Sequence, residues 1–67
     1  MIVRYTNAPA TGHEAIRDRF RAIGKYMQAT DYDGEIAVDC SDDLTAGEQT
    51  TEIAWGAGEG YTVEVTQ

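Results

Sequence analysis

Sixty-seven residues carry five Lys or Arg against twelve Asp or Glu, a formal charge of −7. A chain this short forms one domain, residues 1–67, and buries only about 60% of its unfolded surface, which leaves few apolar side chains to enclose an active site. The acid excess repels nucleic acid and anionic membranes and attracts basic protein surfaces, so binding is expected rather than chemistry.

Residues 1–6 alternate Met1, Val3 and Tyr5 with Ile2, Arg4 and Thr6, the period of a strand. Asn7-Ala8-Pro9-Ala10 breaks it, because proline has no N–H for a ladder. Thr11 with Glu14 three residues on fits a capping box, and Ile16, Phe20, Ile23 and Met27 follow at helical spacing. The spacing predicts a helix over 12–30, with Arg17, Arg21 and Lys25 in a row on another face. Asp31-Tyr32-Asp33-Gly34 supplies turn chemistry to end it. Ile36, Val38 and Cys40 then alternate with Glu35, Ala37 and Asp39 as a second strand. Residues 41–49 form a polar connection with room for one helical turn. Thr51, Ile53 and Trp55 against Glu52 and Ala54 predict a third strand, and Gly56 to Gly60 a hairpin loop. Tyr61, Val63 and Val65 against Thr62, Glu64 and Thr66 complete the order β-α-β-β-β. The expected fold is α+β, one helix packed on a four-stranded mixed, mainly antiparallel sheet. Its core would join Val3, Tyr5, Ile36, Val38, Cys40, Ile53, Trp55, Tyr61, Val63 and Val65 to the helical stripe.

Charge is one-sided along the chain. Residues 1–25 hold all five cations, Arg4, Arg17, Arg19, Arg21 and Lys25, against Glu14 and Asp18. Beyond Lys25 stand Asp31, Asp33, Glu35, Asp39, Asp42, Asp43, Glu48, Glu52, Glu59 and Glu64 with no cation among them. In the expected register Glu35, Asp39, Glu52 and Glu64 share the open face of the sheet, with Asp31, Asp33, Asp42, Asp43, Glu48 and Glu59 at its rims. Carboxylates on a grid of strands about 4.8 Å apart approach the spacing of nucleic-acid phosphates. These ten residues are the candidate partner-binding set. The ordinary alternative is a solvated face that keeps sheets from stacking, or adaptation to high salt.

No catalytic, metal or cofactor site emerges. Asp31 to Glu35 has the flavour of a calcium loop, but Ala29 and Cys40 stand where its first ligand and its bidentate Glu belong. The glycines of 56–60 lack the Lys, Ser or Thr and the following helix of a phosphate cradle. Cys40 and His13, the single thiol and imidazole, fall on different elements, and Asp42 with Asp43 sits in a loop with no pocket to separate their pKa values. With one cysteine there is no internal disulfide, and a reducing cytoplasmic setting is the simplest reading. No signal peptide is expected, and no run approaches the ~20 apolar residues of a membrane span.

In its length, its acid-only stretch from Asp31 to Glu64 and its compact β-α-β-β-β order, the chain resembles the small phage-encoded anti-CRISPR proteins. The resemblance implies a DNA mimic in the host cytoplasm. Such a protein occupies the basic DNA-binding channel of a CRISPR effector, such as the multi-subunit Cascade-type surveillance complex of type I systems. The basic helix row departs from a uniformly acidic mimic. The expected function is a non-enzymatic acidic inhibitor, monomeric or weakly dimeric, of a basic nucleic-acid-binding protein. Two alternatives stand beside it: a small soluble or salt-adapted domain with no inhibitory role, and a subunit that pairs through its first or fourth strand.

Overall fold

The computed structural model describes residues 1–32 and 34–67, and six main elements follow from the sequence in turn. They are β1 (Ile2–Thr6), α1 (His13–Ala22), β2 (Met27–Tyr32), β3 (Glu35–Cys40), α2 (Ala46–Gly58) and β4 (Thr62–Thr66). The fold is α+β with a four-stranded sheet, as expected, but it carries two helices rather than one.

The first helix is shorter than 12–30. It opens through a 3-10 turn at Ala10–Gly12, and Thr11 makes no capping box. It ends because Gly24 takes φ 71°, where the Lys25 N–H donates to Phe20 O at 2.9 Å and the Gly24 N–H to Arg21 O at 3.0 Å. Those two bonds satisfy the last carbonyls and turn the chain away, which is the Schellman arrangement that glycine makes easy. Met27 therefore lies on a strand, and Ile23 is 45% exposed. Only Ile16 and Phe20 of the expected stripe are fully in the core.

Residues 51–55 are helical, not a strand, and 56–60 are a helix end, not a hairpin loop. The capping box stands here instead: Thr45 Oγ1 accepts from the Glu48 N–H at 3.2 Å, and Glu48 Oε1 accepts from the Thr45 N–H at 2.8 Å. Two first-turn donors are thereby satisfied. Gly60, at φ 84°, closes the helix with the same pair of bonds that ends α1, from the Gly60 N–H to Ala57 O and from the Tyr61 N–H to Gly56 O. Gly56 is required for packing, because a Cβ there would collide with Val63 Cγ2.

All three strand pairs are antiparallel, in the order β2-β3-β1-β4. Each helix connection skips one strand position, so β3 lies between β1 and β2, and β1 between β3 and β4. This is the split β-α-β, or ferredoxin-like, arrangement. Both helices cover one face, α1 over β2 and α2 over β4. Beneath them Val3, Tyr5, Ile16, Phe20, Ile36, Val38, Cys40 and Val63 form the core with Ala8 and Leu44, and Met27, Trp55, Tyr61 and Val65 pack partly buried against it. Ile53, expected in the core, is 45% exposed. The other face of the sheet is open.

Candidate functional site

The strand register lays out the open face as three rows. Gln28, Asp39, Ile2 and Thr66 form one, Thr30, Ala37, Arg4 and Glu64 the next, and Tyr32, Glu35, Thr6 and Thr62 the third. Glu35, Asp39 and Glu64 are therefore on this face, as expected. Arg4 stands at its centre, directly across from Glu64, with Nη1 3.5 Å from Glu35 Oε1. The face is acidic with a cation inside it, not uniformly acidic. Small residues, Ala37 and Thr30, leave a shallow basin of about 530 Å³ between Arg4, Tyr32, Glu35 and Asp39.

Glu52 is not on this face. It is 6% exposed on the inner side of α2, where the Tyr5 hydroxyl donates to Oε1 at 2.8 Å. Arg19 Nε donates to both carboxylate oxygens, at 2.9 and 3.1 Å. The Arg19 guanidinium lies 4.3 Å from the centre of the Trp55 ring, and Trp55 meets Tyr5 and Tyr61 edge to face. A carboxylate removed from water needs donors and a countercharge, and this cluster supplies both. Burial, reinforced by the Glu52 charge, pushes the Tyr5 phenol well above its ordinary range. The cluster is saturated. It joins β1, α1 and α2, and it removes Glu52 from the binding set.

The rim acids scatter. Asp42 and Asp43 are exposed in the loop after β3, and Glu59 is exposed at the end of α2. Glu48 is in the capping box, 3.8 Å from Lys25 Nζ, and its backbone hydrogen bond from Thr45 holds its carboxyl below the usual range. Asp31 faces the helix side of β2, opposite Ile36, with Oδ2 3.1 Å from His13 Nδ1. Asp33 lies outside the described residues. The basic row stays together: Arg17, Arg21 and Lys25 line one groove beside Tyr26 and Met27, and Lys25 Nζ also donates to Asp43 O at 3.2 Å. Burial raises the Cys40 thiol, and Sγ donates to Asp42 O at 2.8 Å, so the group is held as a packed thiol.

Two groups escaped the sequence reading. Arg4 is one, since the alternation that buries Val3 and Tyr5 places it on the open face. The Glu52–Arg19–Tyr5 cluster required knowing that 46–58 is a helix, and Thr45-Ala46-Gly47-Glu48 carried that signal.

The fold and its outer surface define a small α+β domain with a half-neutralised acidic sheet and, in α2 and β4, two elements that carry no Lys or Arg of their own. Compared with known proteins, the chain matches no family model, no curated protein and no solved structure. No helix among the described residues is long and apolar enough to cross a membrane.

Proposed function

We propose that this domain is a non-enzymatic acidic inhibitor that docks on the basic nucleic-acid-binding surface of a partner protein. The observation that carries the reading is where the chain's own cations go. Arg19 is held by Glu52, Lys25 lies beside Glu48, and Arg4 beside Glu35. Asp39, Asp42, Glu59 and Glu64 stand outside every ion pair among the described residues. Exposed acids without internal partners are free to meet Lys and Arg that otherwise grip phosphate, and their field speeds the encounter. A CRISPR surveillance complex is the partner that the resemblance in length and in the acid-only stretch suggests, with the domain acting as a monomer or a weak homodimer.

The test is displacement of labelled DNA from such a complex at low salt. Asp39→Lys with Glu64→Lys is expected to abolish displacement, because each reversed group meets a like charge. Arg17→Gln with Arg21→Gln is expected to preserve it, and added salt to weaken the parent. Loss in the helix variant with retention in the sheet variant overturns the proposal.

Arg4 favours a second reading, since a cation among Glu35, Asp39 and Glu64 is how an ordinary solvated face relieves like-charge repulsion. On that reading the domain is simply a soluble or salt-adapted protein. It then displaces no nucleic acid in any variant, and a salt-adapted form unfolds when salt is withdrawn.

A further inference from the structure

The sheet has two edges, and they are built differently. At the β2 edge, Asp31 points to the helix side and is fixed by His13, an inward charge of the kind that discourages another strand from adding. The β4 edge has no such device. Thr62-Val63-Glu64-Val65-Thr66 is β-branched at every position but one, with no Pro, Gly or Lys, and one side of its backbone faces no other strand.

Above this edge the helix layer leaves apolar surface uncovered. Successive helical residues turn by about 100°. Gly56 faces Val63, and Glu48, Glu52 and Trp55 turn toward Arg19 and Lys25 on the α1 side. Ile53 therefore falls on the flank of α2 away from α1, where it is 45% exposed, and Val65 on the neighbouring β4 is half-buried. On the open-face side of the same strand is Glu64. Residues 46–67 contain no Lys or Arg at all.

We propose that the outer edge of β4 is a strand-addition site for an extended segment of a basic partner protein in which apolar and Lys or Arg residues alternate. Side chains on an added strand alternate between faces, so its apolar residues would cover Ile53 and Val65 while its cations meet Glu64 on the open face. Charge selects this occupant over a second copy, since each copy carries −7 and would bring only carboxylates to the flank. The inference rests on the reading that the partner is basic, and adds how it is gripped.

The experiment uses the full chain, ¹⁵N-labelled, with three peptides: acetyl-Lys-Val-Lys-Val-Lys-Val-Lys-amide, a block peptide of the same composition, and the alternating peptide N-methylated on one edge. The alternating peptide is expected to slow amide exchange in residues 62–66 and to bind at least about tenfold tighter than the other two. Ile53→Lys, at an exposed position that leaves the fold intact, is expected to weaken it by a similar factor. Equal binding of the block peptide, protection of β2 instead of β4, or concentration-dependent protection of β4 without peptide each overturns the proposal. In the DNA-displacement assay, loss with Ile53→Lys supports the edge, and loss with Asp39→Lys supports the open face. Retention in the first beside loss in the second overturns strand addition and leaves the acidic-face reading standing.

Discussion

Replacing Glu52 separates a buried structural carboxylate from a binding one. In Glu52→Gln the volume stays and the charge goes. Oε1 still accepts from Tyr5, but the new amide N–H₂ confronts Arg19 Nε, which had donated at 2.9 Å. Hydrogen bonds to charged groups contribute about 1.5–3 kcal/mol each, and Arg19, 28% exposed, recovers part of its loss from water. A destabilisation near about 2 kcal/mol is expected. Glu52→Ala goes further, leaving the Tyr5 hydroxyl buried without its acceptor and Arg19 without its countercharge, and breaking such a pair costs about 3–5 kcal/mol. The whole domain has roughly 3–10 kcal/mol to lose. The alanine variant is therefore expected to be partly or wholly unfolded at room temperature. Trp55 reports the transition directly, because its ring packs against Arg19 and Tyr5. Urea unfolding followed by Trp55 fluorescence and circular dichroism measures both variants, with Glu64→Gln as the exposed control expected within about 0.5 kcal/mol of the parent. If Glu52→Gln unfolds at the parent's midpoint, the cluster does not hold the helices to the sheet.

Gly56→Ala should raise helix propensity by about 1 kcal/mol, yet the collision with Val63 Cγ2 makes it a net loss of about 1–3 kcal/mol. Gly58→Ala, with nothing within 4 Å of its added Cβ, should stabilise, and equal melting of the two alanine variants would refute the close approach. Phe20→Ala, removing a fully buried ring, should cost about 3–5 kcal/mol in the same unfolding assay. Because the folded state raises the Tyr5 pKa, its contribution is complete below the ordinary phenol value. Above about pH 10 it should be lost by up to about 1.4 kcal/mol per pH unit. Urea midpoints taken from about pH 9 to about pH 11 should fall more steeply in the parent than in Tyr5→Phe, and parallel curves would refute the assignment.

The strands at 2–6, 35–40 and 62–66 were legible because their alternation coincides with burial. The first helix was legible in place but not in length. Ile16, Phe20, Ile23 and Met27 keep perfect helical spacing by coincidence, and the stop signal was Gly24, whose left-handed conformation outweighs the continuing period. Residues 46–58 misled for a stronger reason. Thr50, Thr51, Ile53 and Trp55 have β propensity, and Gly47, Gly56 and Gly58 are poor helix formers, so local preference opposed the observed helix. Tertiary packing reversed it: Gly56 must approach Val63, and Glu52 must reach Tyr5 and Arg19. In such a case the cap is better evidence than the interior, and Thr45 with Glu48 was the readable sign. Gly34, at φ 71° between β2 and β3, likewise serves a strand-to-strand turn rather than a helix end.

Charge asymmetry survives folding only in part. The two cation-bearing elements, β1 and α1, do not sit together at one end. β1 is central in the sheet, so Arg4 reaches the middle of the open face, and α1 lies between β2 and α2, so Arg19 reaches Glu52. The acid-only stretch after Lys25 is thereby threaded by cations in two places that no count along the chain reveals. The run without a cation of its own is α2 followed by β4, consecutive elements that are also neighbours in space, although Arg19 and Lys25 reach α2 and Arg4 lies across from Glu64. There the linear order and the spatial order agree, and Glu59 and Glu64 stand outside every ion pair among the described residues, with Arg4 across from Glu64 the nearest exception. That flank also holds the unpaired strand edge and Ile53. Acid, apolar surface and free backbone coincide at β4 because the chain passes through α2 and β4 last, without returning to its basic half.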